Sequence, residues 1–180
     1  MKKILLYIMV SMALMAITSC LGNSVEDEYK SWREANDEWF ARQKANTDYY
    51  TTVTAPWDVN GHVLMHWFND TMVTRTQPRP LFSSTVDVKY RGMTKDATPF
   101  DSSYLRTSPA DSILRTQLNA TSLIEGWSVA LTRMHVGDSC RVVIPYTLAY
   151  GSYKMSEVIL PYTALVFDIK LVDIYGYETH

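Results

Sequence analysis

Hydrophobic positions recur with two different periods along the chain. Between residues 24 and 46 the spacing is helical. Val25, Tyr29, Trp32, Trp39 and Phe40, with Gln43, trace one stripe that Asn36 interrupts. Ser24 precedes the run as a capping residue, and Glu26, Asp27 and Glu28 fill the first turn, where negative charge suits the helix dipole. Trp32, Trp39 and Phe40 are too much apolar surface to leave in water. The helix is therefore expected to pack on the domain that follows, with a homodimer through residues 24–46 as the alternative. Residues 47–60 read as polar and turn-like, with Pro56 and Asn60-Gly61 as punctuation. His62–Phe68 then reads as strand, and Gln77-Pro78-Arg79-Pro80 breaks the chain again.

From there the period is two. Val86, Val88 and Tyr90 alternate with Asp87, Lys89 and Arg91. Leu165, Phe167, Ile169 and Leu171 share one face of a later strand, opposite Val166, Asp168, Lys170 and Val172. Between these strands lies LIEGWSVAL, residues 123–131, where Ile124, Trp127 and Leu131 fit one face of a short helix. Gly126 sits inside it, although Gly costs roughly 1 kcal/mol relative to Ala in a helix. Few helices and several one-sided strands imply an α+β fold, an antiparallel sheet with its apolar face covered by a helix.

Composition narrows the class. The 180 residues are 47% hydrophobic and 20% charged, which suits one globular domain with short extras. The net charge is −2 and no basic patch stands out, so nucleic acid is not an expected partner. Lys2 and Lys3 precede the apolar run Ile4–Ile17, which ends at Thr18-Ser19-Cys20. A basic start, a short apolar stretch and small residues describe an export signal rather than a membrane span. Ile17-Thr18-Ser19-Cys20 also resembles a bacterial lipobox, which implies cleavage before Cys20 and acylation of that residue. Residues 1–19 carry two lysines and no acid, so their removal takes the net charge to −4. The other cysteine, Cys140, alternates with Val142 and Ile144 and reads as a small core residue.

Much chemistry is missing. His62, His66, His135 and His180 are scattered, and on a strand the four-residue spacing of the first two spans about 13 Å. No metal site is expected. No G-x-S-x-G, P-loop or G-x-G-x-x-G motif appears, and Ser102 and Ser103 have no evident histidine partner.

What is present is an ordered series: Val86-x-Val88-x-Tyr90-x-Gly92, Phe100-Asp101-Ser102-Ser103, Leu123-Ile124-Glu125-Gly126-Trp127, Met134-His135-Val136-Gly137, Ile144-Pro145, Leu148-Ala149-Tyr150-Gly151 and Ala164–Asp168. The series resembles the FKBP-type peptidyl-prolyl cis-trans isomerases over about residues 84–174. The resemblance implies a sheet wrapped around the short helix bearing Trp127, an isomerase pocket between them, and no cofactor. By matching position, Trp127 is the pocket floor and Tyr90, Phe100 and Phe167 are aromatic walls. Leu123 and Ile124 line the edge, and the Ile124 N–H receives a substrate carbonyl. Tyr150 donates its hydroxyl to another carbonyl, Asp101 orients side chains near the twisting amide, and Val158 and Ile159 belong to an overhanging loop. Gly126, in the first helical turn, leaves room near the pocket. Two positions at which the family often has aromatics fall on Leu114 and Thr116; Leu114 can still close the pocket. Read as pattern alone, Tyr90 and Phe167 fit sheet-face core residues, and Asp101 and Tyr150 fit turn residues.

The domain plan expected is a signal peptide at 1–19, a lipidated tether at 20–23, a helix and linker at 24–60 and the isomerase domain at 61–180. The expected activity is isomerisation of X–Pro bonds in unfolded or extended segments of exported proteins, at a bacterial envelope membrane reached through the lipid on Cys20. The alternative is a non-catalytic chaperone or binding module that uses the same pocket.

Overall fold

The structure is a computed structural model that describes residues 24–105 and 112–176; the signal segment, Cys20 and the tether lie outside the described residues. Helix α1 (Val25–Glu28) is capped by Ser24, whose hydroxyl accepts the Asp27 N–H at 3.2 Å. The helix read as continuous is broken at Tyr29 (φ −105°, ψ 15°) and resumes as α2 (Lys30–Ala45). Strands β1 (Thr51–Ala55) and β2 (Asp58–Trp67) follow, then the one-turn α3 (Thr71–Thr74), β3 (Thr85–Thr94), β4 (Pro99–Ser102) and β5 (Leu114–Gln117). The chain ends its described part with the short α4 (Glu125–Leu131), β6 (Ser139–Ile144) and β7 (Leu165–Ile174).

The strands form one antiparallel sheet in the order β1-β2-β6-β7-β3-β4, with β5 paired to the first half of β3. The polar segment 47–60 is therefore not a linker. Thr51–Ala55 is the outer strand of a hairpin, and residue 61, the expected domain boundary, falls inside β2. Its threonines are exposed while Val53 and Ala55 turn inward, so the edge strand has loop-like polarity with strand-like alternation. Residues β-branched at the backbone suit such an edge even when they carry hydroxyls.

Both faces of the sheet are covered. On the inner face, Val63, Met65, Val86, Val88, Val142, Ile144, Leu165, Ile169 and Leu171 bury against Trp127, Val129, Ala130 and Leu131 of and around α4. Cys140 is fully buried here, and burial pushes its thiol well above the ordinary cysteine range, so it stays protonated. In β7 an extra residue beside β3 lets Leu171 and Ile174 both point inward. On the outer face, Leu64, Val143, Val166 and Met93 are direct neighbours across β2, β6, β7 and β3. This row, with Tyr50, receives Trp39 and Phe40 of α2. The helix thus packs on its own sheet. Asn36, which breaks the apolar stripe, is the stripe's anchor. It is 1% exposed, its Nδ2 donates to the Trp32 carbonyl at 2.9 Å, and its Oδ1 accepts the Ala164 N–H at 3.0 Å.

The inner helix lies unusually close to the sheet at Gly126. A Cβ there would stand 2.4 Å from Ile144 Cγ2. The room that glycine leaves is filled by the β6 side chain.

Asn36→Ala leaves the buried Ala164 N–H unpaired and is expected to cost about 1–3 kcal/mol of stability. Urea unfolding checks this, and an unchanged midpoint would contradict the anchoring role. Gly126→Ala overpacks the helix–sheet contact and is expected to cost about 1–3 kcal/mol. In a double-mutant cycle with Ile144→Ala the two losses should sum to less than their separate values, because the alanine at 144 removes the colliding atoms.

Candidate functional site

The two glycines of the inner face decide where aromatic rings can go. Gly92 on β3 lies under Phe100 and Phe167; a Cβ at Gly92 would be 2.8 Å from both rings. Without it, the β4 and β7 rings pack directly on the β3 backbone. Gly126 lowers α4 onto β6, and Trp127, the next residue, is brought down among them. The result is a cluster of four rings in edge contact. Tyr90 and Trp127 have centroids 4.9 Å apart at 82°, Trp127 and Phe167 5.3 Å at 86°, and Phe100 and Phe167 5.5 Å at 89°. Edge-to-face contacts of this kind satisfy the ring quadrupoles and are worth about 0.5–1.5 kcal/mol each beyond area burial.

The cluster floors a cavity of about 280 Å³, lined by Tyr90, Phe100, Trp127 and Phe167 below, and by Asp101, Leu114, Leu123, Ile124 and Tyr150 around it. Thr116 and Ser122 complete the lining. Leu114 and Thr116 reach it because β5 pairs in register with β3, Leu114 opposite Val88 and Thr116 opposite Val86. Ser122 lies in the turn closed by the Leu123 N–H on the Ala120 carbonyl at 3.0 Å. A hydroxyl in a turn has no periodic signature, so residue patterning could not single it out. Thr116 stood out only as a departure from an aromatic position.

Val158 and Ile159 do not line the cavity. The Ile159 N–H donates to Ser156 Oγ at 3.0 Å and the Met155 N–H donates to the Ile159 carbonyl at 3.0 Å. This tight turn folds Ile159 back into the core, where it is 6% exposed, and leaves Val158 outside.

Polar groups are placed at the rim by local bonds. Phe100-Asp101-Ser102-Ser103 is stapled to Tyr90 by both hydroxyls. The Tyr90 N–H donates to Ser103 Oγ at 3.0 Å, and Ser102 Oγ donates to the Tyr90 carbonyl at 3.1 Å. Asp101 then takes the Tyr90 hydroxyl on Oδ2 at 2.5 Å and the Ser102 N–H on Oδ1 at 2.8 Å. The carboxylate therefore holds the Tyr90 ring in one orientation. Tyr150 follows the 3-10 turn Tyr146–Leu148, and burial, followed by the nearby Asp101 charge, pushes its hydroxyl above the ordinary tyrosine range. It is a neutral donor at any physiological pH. Ile124 is the N-cap of α4, with φ −65° and ψ 139°. Its N–H makes no backbone hydrogen bond among the described residues, as expected of a helix N-terminus. The Trp127 indole N–H, in the floor, has no hydrogen-bond partner among the described residues either. The arrangement is an aromatic seat with two neutral donors and one oriented carboxylate at its edge. It carries no evident nucleophile, and among the described residues no cluster of metal-ligating side chains occurs.

Comparison with known proteins agrees with this geometry. The family model of the FKBP-type peptidyl-prolyl cis-trans isomerases matches residues 77–172. The chain is 38% identical over 112 residues to FK506-binding protein 2 of Debaryomyces hansenii, a match covering 62% of this chain and 76% of that protein. It is 39% identical over 95 residues to the macrophage infectivity potentiator of Trypanosoma cruzi, covering 53% of this chain and 45% of that one. The chain thus spans less than half of that longer relative. Among solved structures, a peptidyl-prolyl cis-trans isomerase from Pseudomonas syringae superposes with a TM-score of 0.65 at 29% identity, over 81% of this chain and 95% of that one. With more than half its length matched by the family model, and with the sheet, short helix and aromatic seat in place, this chain belongs to the FKBP-type peptidyl-prolyl cis-trans isomerase family.

Proposed function

We propose that the protein is a peptidyl-prolyl cis-trans isomerase acting on X–Pro bonds of unfolded or extended polypeptides, and that the cavity above Trp127 is its active site. The observation that carries the reading is the joint placement of the four-ring seat and the Ile124 and Tyr150 donors on a single cavity.

Rotation about a peptide bond is opposed by amide resonance, with a barrier of about 18–20 kcal/mol. Uncatalysed X–Pro isomerisation accordingly takes about 10–100 s at 25 °C. The planar amide is more polar than the twisted one, so a site that strips water from it disfavours the ground state relative to the transition state. Each ~1.4 kcal/mol of such differential stabilisation is a tenfold gain in rate. In this reading the proline ring rests on Trp127 between Tyr90, Phe100 and Phe167. The Ile124 N–H and the Tyr150 hydroxyl bind flanking carbonyls, which fixes one side of the amide while the other turns. Asp101 acts by holding Tyr90. A non-catalytic chaperone would use the same seat without the rate gain.

We also propose that residues 1–19 are removed on export, that residues 20–23 form a lipidated tether and that the acylated Cys20 holds the protein on a bacterial envelope membrane, where exported proteins fold. The lipobox-like Ile17-Thr18-Ser19-Cys20 supports this.

Purified protein should accelerate cis-to-trans conversion of a short X–Pro peptide over buffer. Tyr150→Phe and Asp101→Val should each lower kcat/KM by about two- to tenfold, the scale of one hydrogen bond. A wild-type rate no greater than buffer, with the peptide still bound, selects the chaperone reading. The pH profile gives a second check. The raised Tyr150 hydroxyl keeps its proton above the ordinary value of 10.0, so the contribution it makes should persist through that pH and fall only above it. In Asp101→Val that fall should move to lower pH, because one of the two causes is removed. For the anchor, Cys20→Ser should shift the protein from the membrane to the soluble fraction; retention on membranes would contradict acylation.

A further inference from the structure

Beside the cavity two turns meet that take no part in lining it. Trp57, between β1 and β2, packs on Phe82, in the turn before β3, with ring centroids 4.6 Å apart at 47°. The Trp57 indole N–H donates to Glu125 Oε1 at 2.6 Å. Glu125 directly follows Ile124, so this bond ties the ring pair to the cavity rim. Yet the pair is not covered. Trp57 is 42% and Phe82 46% exposed, and nearby in sequence Val59, at the start of β2, is 86% and Leu81, beside Phe82, 71% exposed. Ordering large side chains carries an entropic cost that burial normally offsets. Here a hydrogen bond and a ring contact hold apolar surface in place while leaving much of it wet. Such patches mark interaction surfaces.

We propose that the Trp57–Phe82 pair is a second subsite for the client chain, which takes a large apolar side chain on that flank of the proline whose carbonyl docks at the Ile124 N–H. The inference rests on the isomerase reading of the cavity and extends the same site outward. Its continuity with the rim sets the spacing. The pair lies one glutamate side chain plus a 2.6 Å hydrogen bond from the helix entrance, and an extended peptide advancing ~3.3 Å per residue covers that distance in roughly two or three residues. Ring faces and aliphatic neighbours accept Phe, Leu or Met, and the Glu125 carboxylate beneath disfavours an acidic side chain. The occupant is therefore an extended, unfolded polypeptide with an apolar residue a short fixed distance from its proline. A folded surface rarely offers that combination, because its large apolar side chains are mostly buried.

The test uses X–Pro peptides with Phe or Gly placed two or three residues from the proline, on each flank in turn. They are assayed with wild type, Trp57→Ala, Trp57→Phe and Phe82→Ala. Wild type should favour the Phe peptide by about fivefold or more in kcat/KM on one flank only, the scale of burying part of one apolar side chain. Trp57→Ala and Phe82→Ala should abolish that preference while the Gly peptide changes by less than about twofold. Trp57→Phe should keep most of it, because the ring surface rather than the bond to Glu125 meets the client. No preference in wild type, or a preference that survives both alanine variants, overturns the subsite and leaves the isomerase reading intact. Equal loss in Trp57→Phe and Trp57→Ala, with none in Phe82→Ala, overturns it in favour of a clasp on Glu125. If no peptide is isomerised at all, the isomerase reading fails instead, and calorimetric binding of the same peptides decides the subsite by the same comparisons.

Discussion

The architecture depends on how closely the short helix α4 approaches the sheet. Interiors are packed near crystal density, so a helix cannot be lowered onto a strand unless something is missing between them. What is missing is the Cβ of Gly126, whose place is taken by Ile144. That one contact sets the height of Trp127, the next residue, and hence the level of the cavity floor. Gly92 performs the matching service on the strand side by letting Phe100 and Phe167 lie on the β3 backbone. The proposed seat for a proline ring is built from two absences of side chain as much as from four aromatic rings. Glycine is costly in a helix because of its backbone freedom, and here packing offsets that cost.

The second face of the sheet matters in a different way. A long antiparallel sheet with one covered face would leave Leu64, Val143 and Val166 in water. Helix α2 covers them with Trp39 and Phe40, and its register on the sheet is set by a buried amide, Asn36, bonded to the helix backbone at Trp32 and to the Ala164 N–H just before β7. A polar residue of this kind has few ways to be satisfied, so it selects one docking position among the several that apolar contact alone would allow. The outer face is thereby covered, while the proposed site lies on the side facing α4.

The proposed mechanism works by solvation and orientation. Nothing in the cavity has to change protonation. The Tyr150 hydroxyl is held neutral by burial and by Asp101, and Asp101 is itself held by Tyr90 and the Ser102 N–H. The two serines after Asp101 are structural: their hydroxyls bond the Tyr90 backbone and fix the edge strand against β3.

Alternation along Val86–Tyr90 and Leu165–Leu171 was enough to read the central strands, and the order of short motifs was enough to name the rings that meet over Trp127. These are local or strictly ordered signals, and a chain carries them without being folded. The edge hairpin was not legible, because Thr51 to Thr54 has the polarity of a loop and its pairing partner supplies the evidence that it is a strand. Asn36 read as a flaw in an apolar stripe, since the carbonyl and N–H it satisfies belong to Trp32 and to the distant Ala164. Ile159 was assigned to an overhanging loop, and a turn through Ser156 folds its side chain into the core. Ser122 and the Trp57–Phe82 contact belong to turns, which have no period to read. The sequence determined which residues can be buried and in what order they come, because hydrophobicity and spacing are properties of the chain. Only the tertiary structure decided which of them share a cavity, because that depends on long-range register and on two missing Cβ atoms whose neighbours lie elsewhere in the fold.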